Sequence, residues 1–183
     1  LNASLEPEGV KISVNDMILK ASAMAIQKYP KWDTTYTDEK LIASADINLG
    51  VAIALDSGLM VPAILGCQNR SLKEISIAAR DLGSRTRASQ LTDREVTGGT
   101  FSVSNLGMFG VDDFNAIMMP PQAGILAVGA ASPTPVVRDG EVTVRTVMKM
   151  TLTVDHRIND GAEAAMFSNE IKALLENPLR LVL

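Results

Sequence analysis

Residues 153–164 read T-V-D-H-R-I-N-D-G-A-E-A and hold the only histidine of a 183-residue chain. A long alternating pattern leads into them. Val142, Val144, Met148, Met150, Leu152 and Val154 share one parity, and Glu141, Thr143, Arg145, Lys149, Thr151 and Thr153 share the other. Alternation of this kind marks a half-buried β-strand. His156 continues the apolar parity, so a strand reaching that far aims the imidazole at the buried side. Beyond it the period changes. Asp160 stands three residues before Glu163, as an N-cap stands in a capping box, and Gly161 eases the tight turn. Ala164, Phe167, Ile171 and Leu174 then form the inner stripe of a helix over about 161–176, stopped by Asn177-Pro178. The stretch is therefore strand, turn, helix.

Working outward, V-V-R-D-G-E-V-T-V reads as a hairpin with Asp139-Gly140 at its tip. An apolar strand is expected at 123–130, an irregular segment at 111–121 ending in Pro120-Pro121, and a short strand in T-F-S-V-S-N-L-G. Residues 71–88 place Leu72, Ile75, Ala79 and Leu82 at helical spacing behind a Ser71/Glu74 capping box. I-N-L-G-V-A-I-A-L and L-M-V-P-A-I-L form a strand pair joined through Asp56-Ser57-Gly58. T-T-Y-T and L-I-A form a hairpin around Asp38-Glu39-Lys40. Ser13 caps a helix over about 14–28 that Y-P-K-W-D ends, and residues 1–9 read as the end of something earlier. Strands and helices without regular βαβ repetition imply one α+β domain over 1–183, built on a mixed β-sheet flanked by helices.

Composition narrows the classes. The chain is 46% hydrophobic with a formal charge of −4 and scattered basic residues, which argues against a phosphate-neutralising surface and hence against nucleic acid. No apolar run approaches the roughly 20 residues that span a bilayer, so no membrane partner is expected. One cysteine, Cys67, excludes an intrachain disulfide framework, and no metal-ligand set is present. The chain begins at Leu1, which suits a piece of a longer polypeptide.

The candidate chemistry centres on His156. A lone histidine on an apolar parity is ordinarily a satisfied core residue, and Asp155 and Arg157 read as a solvated pair flanking it. Yet histidine is the side chain whose ordinary titration falls between pH 5 and 8, which suits a general base. Cys67 has apolar flanks and lacks the setting of an activated nucleophile. Ser104 is a strand-end hydroxyl beside a glycine turn, common turn chemistry taken alone. The glycine-rich stretches contain no phosphate-binding loop.

D-H-R-I-N-D-G-A resembles the D-H-R-x-x-D-G-A signature of the dihydrolipoamide acyltransferases, the catalytic cores of 2-oxoacid dehydrogenase complexes. The resemblance extends through K-I-S-V-N-D at 11–16, G-V-A-I-A-L-D-S-G-L-M-V-P at 50–62, G-G-T-F-S-V-S-N-L-G at 98–107 and P-P-Q-A-G-I-L-A-V-G at 120–129, all in the family's order. It implies the fold of chloramphenicol acetyltransferase and other coenzyme A-dependent acyltransferases. It also implies that His156 is the general base that takes the thiol proton of coenzyme A or dihydrolipoamide. Ser104 would hydrogen-bond the tetrahedral oxyanion, and Asp160 would orient the site. Ser13, Asp56, Ser104, Asn105 and Gly129 fall at positions similar to coenzyme A contacts. Asn159 departs from the family's usual Val or Ile.

F-N-A-I-M-M-P-P-Q-A-G-I-L-A-V-G looks most like the pyruvate branch, hence acetyl transfer, with succinyl and branched-chain transfer as alternatives. Coenzyme A is then a substrate and the lipoyl group rides on a separate domain. The expected partners are copies of the chain in a trimer and a higher cage, the lipoyl domain, and the pyruvate decarboxylase and dihydrolipoamide dehydrogenase components. The compartment is the bacterial cytoplasm or the mitochondrial matrix. In the family the histidine and serine of one site come from neighbouring subunits, and the apolar tail L-R-L-V-L suits a buried contact. By the same resemblance the chain lacks the domain's N-terminal strand and helix, and carries no lipoyl or peripheral-subunit-binding domain. A non-catalytic core subunit and an antibiotic acetyltransferase of the same fold are the competing readings.

Overall fold

The structure is a computed structural model that describes residues 2, 10–38 and 40–182. The readings for residues 1–9, apart from Asn2, and for Glu39 and the terminal Leu183 lie outside the described residues.

Four helices are set by local chemistry, and the three longer ones match the spacing. Helix α1 (Val14–Lys28) begins at Ser13, whose hydroxyl accepts the Asp16 backbone N–H while the Asp16 carboxylate accepts the Ser13 N–H. Helix α2 (Leu72–Arg87) has the same reciprocal cap from Ser71 and Glu74. The short α3 (Asp93–Thr97), which is not among the expected elements, is capped by Thr92 and Glu95. Helix α4 (Gly161–Glu176) ends at Asn177. Such caps satisfy N–H groups that a helix start leaves without an intrahelical partner, each worth about 1 kcal/mol.

The strands are β1 (Thr34–Thr37), β2 (Lys40–Ala43), β3 (Leu49–Val51), β4 (Ile53–Leu55), β5 (Gly58–Met60), β6 (Ala63–Ile64), β7 (Phe101–Asn105), β8 (Gly124–Val128), β9 (Ser132–Arg138), β10 (Glu141–Val147) and β11 (Met150–Val154). Five of them make a mixed sheet in the order β11-β8-β7-β3-β6, with β7 parallel to both β8 and β3 and the edge strands antiparallel. This is the mixed-sheet α+β architecture expected. Leu49, Phe101, Leu126 and Val128 of the sheet share one core with Ile18, Leu19 and Ile26 of α1, Ile75 and Leu82 of α2, and Phe167 and Ile171 of α4. Trp32 stacks on Phe167 at 4.3 Å with Phe101 edge-on to both rings, so the scarce aromatics concentrate where α4 leaves the sheet. No helix among the described residues is long and apolar enough to cross a membrane.

Three expectations are corrected. The strand pair at 47–65 divides: β3 and β6 enter the sheet, while β4 and β5 form their own hairpin. The Val51 N–H donates to the carbonyl of Pro62, and the Ala52 N–H turns away to the Val103 carbonyl. The alternating run 141–154 also divides. β10 pairs only with β9, around the left-handed Asp139-Gly140 turn, and the chain re-enters the sheet at β11. The arm stands off the sheet, so Val142 (75% exposed) and Val144 (67%) meet solvent despite their apolar parity. Finally, β11 stops at Val154, and His156 is exposed rather than aimed into the core.

Candidate functional site

The turn that carries His156 is built by its neighbours. The Asp155 N–H donates to the Ala123 carbonyl, extending the β11–β8 ladder by one residue. The Asp155 carbonyl then accepts the N–H groups of both Ile158 and Asn159, which closes the turn. The Asp155 side chain is 5% exposed and grips Arg157, accepting its backbone N–H at 3.0 Å, Nε at 2.9 Å and Nη2 at 2.6 Å. The guanidinium lies 4.5 Å from the centre of the Tyr36 ring, a cation–π contact. Asp155 and Arg157 are thus a clamp with a buried end, not the solvated pair expected. Arg157's hydrogen bonds hold the Asp155 carboxyl below the ordinary range. Between the two clamped residues, His156 is held out toward solvent.

Asp160 follows as the cap of α4. Its carboxylate accepts the Glu163 N–H at 2.8 Å, and its own N–H donates to the Glu163 carboxylate at 2.9 Å. Glu163 is held in turn by Lys31 Nζ at 2.7 and 2.8 Å. The Glu163 backbone N–H lowers the Asp160 pKa most, with smaller contributions from the Ala162 N–H, Lys31 and His156. Asp160 is an ionised cap lying close to the imidazole.

Ser104 stands elsewhere. It is half-buried near the end of β7, beside Ala127 of β8, which in turn pairs with Thr151 of β11. The next residue, Asn105, donates from Nδ2 to Asn15 Oδ1 at 3.1 Å and accepts the Gly107 N–H at 2.9 Å. Asn15 lies in the first turn of α1, two residues past Ser13. Gly129 follows Val128, the partner of Asn105, and a Cβ there would collide with the Asp112 carbonyl oxygen. Ser13, Ser104, Asn105 and Gly129 therefore gather at one end of β7 and β8. Asp56 is at the tip of the β4–β5 hairpin, whose residues line a cleft of about 350 Å³ with Thr86, Arg87 and Ser89. No hydrogen bond among the described residues links Asp56 to the other four.

The register separates Ser104 from His156. From the level of Ala127 and Thr151 to Asp155 is four residues, roughly 13 Å along the strands, and two strand spacings add about 10 Å across them. His156 lies beyond Asp155. One chain cannot bring the imidazole to the serine hydroxyl.

The sequence marks Asn159 as unusual but not its burial, and gives no sign of Asp33. Asn159 is 1% exposed, and neither atom of its amide has a hydrogen-bond partner among the described residues. Its departure from an aliphatic pattern was the available signal. Asp33 is also buried, with Oδ1 unpaired, and burial raises its pKa to about 6. No sequence pattern marked it. Cys67 is fully buried, donates to the Ile64 carbonyl, and has its thiol pushed up to about 11 by burial, so it is no nucleophile. Among the described residues no group of three or more His, Cys, Asp or Glu is placed to hold a metal ion.

Residues 1–183 match the family described as 2-oxoacid dehydrogenases acyltransferase (catalytic domain). The chain is 39% identical over 182 residues to the dihydrolipoyllysine-residue acetyltransferase component of the pyruvate dehydrogenase complex of Zymomonas mobilis, covering 100% of the chain and 41% of that protein. It is 43% identical over 177 residues to the mitochondrial counterpart of Schizosaccharomyces pombe, covering 94% of the chain and 36% of that protein. The chain thus spans about two fifths of the length of these relatives. Among solved structures it is similar to one from an investigation of the role of a serine, a histidine and an asparagine in the catalytic mechanism of Azotobacter vinelandii dihydrolipoamide acetyltransferase. There the TM-score is 0.92 at 30% identity, over 100% of this chain and 76% of that one. The cubic core of a pyruvate dehydrogenase multienzyme complex also superposes at 0.92, with 30% identity over 100% of this chain and 76% of that one. Chloramphenicol acetyltransferase, at 14% identity and a TM-score of 0.57 over 94% of this chain and 81% of that one, shares the fold.

Proposed function

The chain belongs to the 2-oxoacid dehydrogenase acyltransferases as a catalytic domain, and from that premise we propose that it moves an acetyl group between dihydrolipoamide and coenzyme A. The observation that carries this reading is His156: the only imidazole, exposed, and held on a turn clamped on both sides. Spacing supports the assignment. The serine, histidine and asparagine investigated in the A. vinelandii enzyme stand 52 and four residues apart, the same intervals that separate Ser104, His156 and Asp160.

In this mechanism the His156 imidazole takes the proton of the attacking thiol. The thiolate forms a carbon–sulfur bond to the thioester carbonyl. The carbonyl electrons move onto oxygen, which accepts a hydrogen bond from Ser104 Oγ, a contribution of about 3 kcal/mol to the transition state. Collapse breaks the original carbon–sulfur bond, and the departing thiolate regains a proton from the imidazolium. No acyl-enzyme forms. Asp160 orients the turn as the cap of α4 and touches no reacting atom. Ser13, Asp56, Ser104, Asn105 and Gly129 contact coenzyme A; the clustering of four of them at one sheet end supports this.

The separation within one chain supports a site in which His156 of one copy meets Ser104 of another; by the family resemblance the active unit is a trimer with shared sites, assembled further into a cage. Exposed Met108, Phe109 and Ile117 and the valines of the β9–β10 arm supply apolar surface for such contacts. In the tail, Leu181 is buried within its own chain, while Leu179 and Val182 are exposed. The lipoyl domain delivers the acyl group. The pyruvate decarboxylase and dihydrolipoamide dehydrogenase components load and reoxidise it, in the bacterial cytoplasm or the mitochondrial matrix.

The test compares acetyl, succinyl and isobutyryl thioesters of coenzyme A as donors to dihydrolipoamide, with the assembled full-length polypeptide and its His156→Ala variant. Acetyl should be the preferred donor, and the variant should lose nearly all turnover. Preference for another acyl group overturns the specificity, and near-normal turnover in the variant overturns the base.

A further inference from the structure

We propose that Asn159 is a positioning residue for the His156 turn and that it acts by holding water sealed beneath that turn. The residue lies inside the turn: its N–H donates to the Asp155 carbonyl at 3.0 Å, Ile158 before it is buried, and Asp160 after it caps α4. Its carboxamide carries two donor hydrogens and an acceptor oxygen, yet neither Nδ2 nor Oδ1 has a hydrogen-bond partner among the described residues. Buried polar groups in folded proteins are almost always satisfied, and a branched aliphatic side chain at this place would leave nothing to satisfy. Something small therefore completes the amide.

Two facts select water. Asn159 is already 1% exposed in the single chain, so a neighbouring subunit cannot reach it. Its amide nitrogen and oxygen are both shut off from solvent, so whatever completes them is enclosed with them and has to be small. Internal waters typically make about three hydrogen bonds to such groups. The segment packed beside the turn offers a further acceptor. Lys31 binds Glu163, Trp32 stacks on Phe167 and Tyr36 receives Arg157, and between them Asp33 Oδ1 is buried without a partner. Water bonded to Asn159 ties the turn to its support and limits the swing of His156, which must meet its thiol within hydrogen-bonding reach.

The catalytic half of this inference rests on the proposed role of His156; the hydration half does not. A high-resolution crystal structure of the assembled core should show ordered water within about 3 Å of Asn159 Nδ2 or Oδ1. Asn159→Leu, similar in shape, should lower kcat about tenfold with little change in KM and alter the pH profile of kcat, while Asn159→Ser, which can hold water again, should recover part of the loss. An amide bonded directly to protein groups, or density without water, overturns the site even if a variant misassembles. Water present together with a fully active Asn159→Leu overturns the positioning role. Full activity of His156→Ala defeats the reading of the base and leaves the water site standing.

Discussion

Asp33→Asn should stabilise this protein at neutral pH and have almost no effect near pH 4. Asp33 is 7% exposed and its Oδ1 is unpaired, so burial penalises the charged form and raises the pKa from the ordinary 3.8 to about 6. The Thr100 hydroxyl opposes that shift and Asp46 adds to it. The folded chain therefore keeps the Asp33 proton to about pH 6, while the unfolded chain releases it near 3.8. The stability this group contributes is complete below 3.8 and is lost as pH rises through 6. At about 1.4 kcal/mol per pKa unit, the displacement is worth about 3 kcal/mol at most above pH 6. The neutral amide escapes that penalty. For a domain of this size each kcal/mol moves Tm by about 2–4 °C. Thermal melts of the two proteins at pH 4 and pH 7.5 read the effect as a difference of differences. Glu95, which Arg85 holds down to about 2, and the other paired carboxylates act equally on both and cancel. An equal Tm gap at the two pH values, or a less stable variant at pH 7.5, refutes the reasoning.

Two other changes test individual assignments. Asp160→Asn should keep most activity and stability because Asn caps a helix about as well as Asp, whereas Asp160→Ala should cost about 1 kcal/mol in chemical denaturation and lower kcat; equal losses would mean that the carboxylate does more than cap. Cys67, buried with a thiol pushed up to about 11, should resist iodoacetamide at pH 8 in the folded protein and react once it is unfolded; mass spectrometry showing rapid alkylation of the native chain would contradict that burial.

The helices were legible because their signals are local. Ser13 with Asp16, Ser71 with Glu74 and Asp160 with Glu163 are complete within four residues, and the apolar spacing behind each needs no partner to be read. Strand partners are not local. Nothing in L-G-V-A-I-A-L says that Val51 will pair with the sheet while Ile53 pairs with Met60 in a separate hairpin. The parity of Val142 and Val144 was real but misled, because burial depends on whether the β9–β10 arm lies on the sheet, and it stands off it. Parity also fails at His156, because it holds only as far as the strand: β11 ends at Val154 and Asp155's grip on Arg157 forms the turn that follows. The site residues were named through motif resemblance. The separation of Ser104, Asn105 and Gly129 from His156 and Asp160, at opposite ends of the sheet, comes from the register of β7, β8 and β11.

Under the proposed function, one active site draws His156 and Ser104 from two copies of the chain. Co-expression of full-length His156→Ala and Ser104→Ala polypeptides tests it directly, because neither variant alone holds a complete site. In a cyclic trimer formed at random from equal amounts of both, roughly a quarter of the shared sites regain an intact His156 facing an intact Ser104. Acetyl transfer by the mixed assembly should rise to about that fraction of the unsubstituted enzyme. Activity that stays at the level of the separate variants, in assemblies shown to contain both chains, would contradict the account.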